Sequence, residues 1–298
     1  MSSSARSKPG RRVSAALRRG GLALALLATL VTTTAPVPAA TGGPDSYVAL
    51  GDSYTAGPGI PHQQLDPPGC QRSDHNYPHL LAAAAAIPVL RDVSCSGAET
   101  MDMTAPQPAA GGPNPAQLDS LEAGTDLVTI GVGGNDIGFG EIVASCFTVV
   151  PLGHPCQSRY ASGGDDQISR RIAETAPKVG AVLAAIHDRS PRARLLVVGY
   201  PAILPDNGIG CWPVLPVAPA DVAYLRAKHR ELNAMLAEQA AAGGAAFVDV
   251  YGPSVGHDAC ALPHQRWVEP LVPTSPAAPV HPNAAGMAGM ARAVQATL

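Results

Sequence analysis

Apolar residues fall along this chain in two rhythms. Short apolar runs bounded by turn residues recur at Tyr47 to Leu50 and in "IPVLRDVSC", "TDLVTIGVGGND", "ARLLVVGYP" and "AAFVDVYGP". Longer stretches with helical spacing lie among them: "DDQISRRIAETAPKVGAVLAAIHDRSP", "PADVAYLRAKHRELNAMLAEQAAAGG" and the closing "NAAGMAGMARAVQATL". The run in "TDLVTIGVGGND" is continuously apolar, which is how a strand buried on both faces reads. Strands alternating with helices predict βαβ units, hence an α/β protein: a three-layer α/β/α sandwich around a mostly parallel sheet. Pro177 inside the first helical stretch predicts a kink or a break there. The stretches 57–75, 102–118, 140–166, 205–219 and 253–280 read as loops rich in Gly, Pro and Cys, longer than simple connectors need to be. Loops beyond the carboxyl ends of the strands are where an open parallel sheet builds a site. Neither an internal repeat nor a second domain is visible.

The first residues follow a different pattern. "RSKPGRRVSAALRRG" is basic and free of acid, "LALALLATLV" is apolar but too short to span a bilayer, and "TTTAPVPAA" ends in small residues. Residues 1–39 therefore read as a secretory signal peptide, with Val37 and Ala39 fitting the cleavage rule and 40–298 left as one domain. Arg11 and Arg12 leave general-secretory and twin-arginine export both open. Removing six cations and no acid from a chain of formal charge −3 leaves the remainder near −9. So acidic an exported protein is poorly suited to nucleic acid or to anionic membrane surfaces. No later stretch reads as a stable membrane anchor. Six cysteines in an exported chain point to a disulfide framework, with fifteen possible pairings. There is no CxxC and no Cys/His pairing at metal-ligand spacing, and neither metal nor organic cofactor is expected.

Three short motifs converge under this layout. "GDSYTAG" places Ser53 in a turn after the first strand, where a hydroxyl can act as nucleophile if a base takes its proton. "GVGGND" presents Asn135 at the end of the central strand, where its amide can donate to a developing oxyanion. "VHPN" puts His281 on a loop before the last helix. Each motif alone is as compatible with a turn or a packing role. An α/β-hydrolase elbow would need glycine where Thr55 stands. Asp52 and Asp136, beside two of these positions, read as scaffolds for their turns. His75 and His79 have ligand-like spacing, but Pro78 between them favours a surface reading. Trp212 and Trp267 could line an acyl site or simply pack their loops.

Ser53 in "GDSYTAG", Gly97 in "CSGAET", Asn135 in "GVGGND" and His281 in "VHPN", in that order and each after a strand, resemble the four blocks of the SGNH (GDSL-type) hydrolases. The resemblance runs from Ser46 to Leu298 and is greatest to secreted actinobacterial esterases and lipases. It implies a flavodoxin-like sheet, Ser53 as nucleophile and His281 as general base. The oxyanion hole would be the N–H groups of Ser53 and Gly97 with the Asn135 amide. It also implies the pairs Cys70–Cys95, Cys146–Cys156 and Cys211–Cys260. The family usually carries an Asp three residues before the histidine; here that residue is Ala278. A backbone carbonyl can take over the acceptor role. The Ala278 carbonyl, in a loop stiffened by Pro276, Pro279 and Pro282, is the expected partner, and the Glu269 carboxylate is its rival.

The expected activity is that of a secreted, monomeric serine esterase or lipase acting on small ester or lipid substrates. A phospholipase acting on the same kind of bond, acyl transfer to a sugar, and a non-catalytic binding protein of the same fold are the alternatives. The small aromatic content, 4%, predicts an acyl groove lined mainly by aliphatic side chains.

Overall fold

A computed structural model describes residues 43–298; the expected signal peptide lies outside the described residues. Among these residues the strands are β1 (Ser46–Gly51), β2 (Val89–Asp92), β3 (Leu127–Gly131), β4 (Ala161–Ser162), β5 (Asp165–Asp166), β6 (Arg194–Val198) and β7 (Ala246–Val248). The helices are α1 (Ser53–Ala56), α2 (Tyr77–Ala84), α3 (Phe139–Cys146), α4 (Pro155–Tyr160), α5 (Gln167–Arg189), α6 (Val222–Ala242), α7 (Tyr251–Ser254) and α8 (Ala284–Gln295).

Five strands form one sheet in the order β2-β1-β3-β6-β7, every pair parallel. β1 and β3 are buried along nearly their whole length, as their apolar runs predict. Successive side chains of β1 point to opposite faces. Val48 and Leu50 join one core cluster with residues of α5 and α6, while Tyr47 and Ala49 join another with residues of α2 and α8. These two helix layers complete the α/β/α sandwich. From β1 the chain crosses to β2 on one side, and from β3 to β6 on the other. The sheet order therefore reverses between β1 and β3, where the ends of the two strands open a crevice.

Two stretches differ from expectation. α5 runs uninterrupted through Pro177. Losing a hydrogen bond to a helix-interior proline costs about 3 kcal/mol. Six aliphatic side chains of α5, from Ile168 to Ile186, are buried, each contributing about 1.5–3 kcal/mol, and they outweigh it. Pro177 and Ala173, whose carbonyl loses its donor, both lie on the exposed face. The stretch 140–166 is not simply loop: it holds most of α3, all of α4 and the β4–β5 hairpin.

Disulfides join Cys70 to Cys95, Cys146 to Cys156 and Cys211 to Cys260, with sequence separations of 25, 10 and 49. On the chain-entropy model these closures contribute about 3.5, 3 and 4 kcal/mol. A Cys211→Ser/Cys260→Ser variant should accordingly lose more stability in urea unfolding than Cys146→Ser/Cys156→Ser. The reverse order would show that the restriction of the unfolded chain is not what these bridges contribute.

Candidate active site

The site begins where β1 ends. Gly51 has φ +147°, and a Cβ there would meet Thr55 Oγ1 at 2.3 Å and the Gly131 carbonyl at 2.8 Å, so only glycine fits. The buried Gln117 amide clamps this residue from both sides, accepting its N–H (2.7 Å) and donating to its carbonyl (2.9 Å). Asp52 then caps α1, its Oδ1 accepting the Tyr54 N–H at 2.8 Å. Ser53 becomes the first residue of that turn. Its N–H, like others in a first turn, has no intrahelical acceptor, and no described protein group takes it up.

His281 closes on Ser53 from the loop before α8. Ser53 Oγ lies 2.8 Å from Nε2 of the imidazole. Nδ1 lies 2.7 Å from the Pro279 carbonyl, which can only accept, so Nδ1 carries the hydrogen and Nε2 is the bare lone pair facing the serine. Burial pushes the imidazole below its ordinary pKa, against the pull of the Pro279 carbonyl. The expectation of Ala278 is corrected by one residue: its carbonyl accepts the backbone N–H of His281 (3.2 Å), not the ring. The cause is Val280, whose φ of +59° is in the left-handed region that β-branched residues avoid. That turn presents the Pro279 carbonyl to the ring. It is held by Val280 N–H donating to Glu269 O (3.1 Å) and by the Tyr54 hydroxyl donating to Val280 O (2.7 Å). The Tyr54 ring also lies against the imidazole, with centroids 5.0 Å apart.

Glu269, the rival acceptor, does not meet the imidazole. Its buried carboxylate receives Asn283 Nδ2 (2.7 Å) and the Thr274 N–H (2.7 Å). Burial pushes that carboxyl up, but these bonds and those from Ser275 and the Thr274 hydroxyl outweigh it and hold the pKa low. Its backbone N–H reaches the His281 carbonyl at 3.0 Å, so Glu269 supports the loop through its main chain.

Two further turns carry the remaining expected site residues, Gly97 and Asn135. Gly97 has φ +81°, and its N–H meets no acceptor among the described residues. Gln107 Nε2 donates to the Ser96 carbonyl (2.9 Å), which shares one peptide group with that N–H. The Cys70–Cys95 bridge and the Ser96 N–H, which reaches Cys70 O at 3.0 Å, fix the same turn. Asn135 follows β3 and donates one amide hydrogen to the Ala98 carbonyl (2.9 Å), tying its side chain to the Gly97 turn. Asp52 links the two strand ends: Tyr200 Oη donates to its Oδ2 (2.6 Å) and accepts from the Gly134 N–H (2.9 Å). Burial raises Asp52 to a pKa of about 7, although the Tyr200 and Tyr54 bonds pull it down. Asp136 is a scaffold of the same kind, accepting from the Thr100 N–H and hydroxyl.

Ser53, Asn135 and Val280 border a cavity of about 890 Å³, its open mouth included. Its walls are largely aliphatic, with Ile142, Val143, Leu204 and Leu215 beside Phe139 and Phe147. Sequence patterning did not single out His229, which also lines it; burial lowers its pKa to about 4, and Nε2 has no hydrogen-bond partner among the described residues. Neither tryptophan lines this cavity. Trp267 stacks on His257, and Trp212 Nε1 donates to Thr148 O (3.1 Å) from a partly exposed position. His75 and His79 do not converge: the first is paired with Asp74 and the second with Asn76. No group of three His, Cys, Asp or Glu among the described residues could hold a metal ion.

A hydroxyl paired with a neutral imidazole, beside unclaimed N–H groups and an apolar cavity, suits acyl transfer. Comparison with known proteins agrees. The model of the GDSL-like lipase/acylhydrolase family matches residues 49–288. Lipase 2 of Streptomyces coelicolor is 42% identical over 234 residues, 76% of each chain. The crystal structure of an extracellular lipase from Streptomyces rimosus superposes with a TM-score of 0.71 at 30% identity, over 85% of this chain and 99% of that one. A phospholipase A1 from Streptomyces albidoflavus gives 0.71 at 26% identity, over 86% and 100%. The chain belongs to the GDSL-like lipase/acylhydrolase family and is a carboxylic ester hydrolase of SGNH fold.

Proposed function

We propose that the protein is a secreted serine lipase or esterase that cleaves fatty-acyl esters through an acyl-Ser53 intermediate. The observation that carries this reading is the line Ser53 Oγ, His281, Pro279 O, with hydrogen bonds of 2.8 and 2.7 Å, bordering an apolar cavity. Ser53 Oγ attacks the ester carbon while Nε2 of His281 takes its proton. The N–H groups of Ser53 and Gly97 and the free amide hydrogen of Asn135 stabilise the oxyanion, each donor worth about 3–4 kcal/mol of barrier. His281 returns the proton to the leaving alcohol, and water then repeats the cycle on the acyl-enzyme. The aliphatic walls suit an acyl chain and repel a charged one. Export is supported by the pattern of residues 1–39, the three disulfides and the extracellular S. rimosus relative. The S. albidoflavus relative favours phospholipase A-type cleavage as a second reading, which phosphatidylcholine assayed against triglyceride separates.

Ser53→Ala should abolish hydrolysis of a p-nitrophenyl ester series from acetate to palmitate while the protein stays folded. Retained turnover would place the nucleophile elsewhere. Only neutral His281 can take the proton, so kcat/KM should rise with pH through one ionisation lying below the ordinary imidazole value of 6.5. A midpoint above 7 would contradict the buried imidazole as the base. Glu269→Gln should leave turnover per folded molecule within about tenfold, because the Pro279 carbonyl orients the base; a loss comparable to the roughly 10⁴-fold effect of removing a triad acid would overturn that assignment.

A further inference from the structure

Large apolar side chains are exposed on two segments that also contribute to the cavity wall. Val149, Leu152 and Ile209 are 89, 76 and 70% exposed, and Val150, Val214 and Trp212 are also exposed. They occupy two stretches, 147–153 and 207–218, neither of which contains an Asp, Glu, Lys or Arg. The stretches are joined directly: Phe147 bridges Val217, the Thr148 N–H donates to Pro216 O at 2.7 Å, and Trp212 Nε1 donates to Thr148 O. Disulfides anchor each one, through Cys146 and Cys211. Single exposed apolar residues need no explanation, but a pinned, charge-free cluster of six marks an interaction surface.

The partner is indicated by what lies behind the surface. Phe147, Leu215 and Val217, on the same two stretches, line the cavity. The apolar exterior therefore continues into the acyl-binding wall on the same segments. Trp212 has its indole nitrogen satisfied within the protein and its ring partly exposed, a disposition suited to a lipid–water interface. Neither stretch carries a cation of its own and the chain is net negative, so the apolar side chains, not attraction to anionic lipid, are the driving force to expect. We propose that this rim seats the protein on the surface of a neutral lipid aggregate, so that an acyl chain passes from the lipid phase into the cavity. The proposal rests on the ester-hydrolase reading of the site, but its binding step is measured without turnover.

The test uses the Ser53→Ala protein, which leaves lipid intact, with phosphatidylcholine vesicles and co-sedimentation. Binding is expected, and it should persist in about 1 M salt, where the screening length is roughly 3 Å. Replacing Val150, Leu152 and Ile209 by Ser should weaken partition about 100-fold, from partial burial of three apolar side chains in the interface. In the Ser53-intact protein the same triple variant should keep kcat/KM on dissolved p-nitrophenyl acetate within about twofold, since exposed substitutions seldom disturb the fold. Its turnover of emulsified triglyceride should fall more than about tenfold. Absence of vesicle binding by the parent, equal binding by the triple variant, or binding confined to anionic vesicles and lost in salt would each overturn the proposal. So would self-association that the triple variant abolishes while neither form binds vesicles, which would assign the rim to a second copy of the chain.

Discussion

The buried carboxyl of Asp52 holds together groups that the chain keeps far apart. One oxygen fixes the Tyr54 N–H and so the turn that starts with Ser53; the other receives the Tyr200 hydroxyl, which in turn holds Gly134 beside Asn135. The ends of β1 and β3 are thus coupled through a single side chain lacking contact with solvent. Burying a carboxyl without partners would cost several kcal/mol, and here both oxygens are occupied. The burial still leaves its mark in a pKa of about 7, far above an ordinary aspartate. The β1–β3 ladder already sets Gly51 opposite Gly131; what the carboxyl adds is a tie between the two turns that follow those strands.

On that platform the loops divide the remaining work. The Cys70–Cys95 loop supplies the Gly97 turn, the stretch before α8 supplies His281, and the stretches around α3 and after β6 supply the cavity wall. The stretches after β6 and before α8 share a small apolar cluster that includes Leu204, Leu215, Val217 and Val268. The loops are otherwise held by disulfides, by side-chain clamps such as Gln107 on Ser96 O, and by the buried carboxylate of Glu269. Polar groups buried in loops generally demand such partners, and here those partners also fix the turns that carry Gly97 and His281.

Much of this was legible in the sequence, for physical reasons that differ by residue. Ser53 and Asn135 announce themselves in glycine-rich motifs that each follow a strand, and His281 in a proline-rich motif before the last helix. The sheet is legible because a doubly buried strand leaves an unbroken apolar run. Tyr200 and Gln117 leave no such trace: they act across 148 and 66 residues through single hydrogen bonds or a bidentate clamp. The uninterrupted α5 could not be foreseen from Pro177, since local propensity says nothing of the six aliphatic contacts opposing it. α3 and α4 are too short to show a period, and a disulfide joins them. The acceptor for the imidazole was misplaced by one residue because spacing fixes distance along the chain, while the direction of a carbonyl depends on one dihedral angle at Val280.

That dihedral has a consequence for inheritance. A carboxylate partner is written as a letter and vanishes with one substitution. A main-chain carbonyl is present whatever residue occupies position 279, so the partner of His281 is stored as a shape of the loop. What descent must preserve is a strained valine and the Tyr54 and Glu269 contacts that hold it, none of which a search for a third catalytic side chain would find.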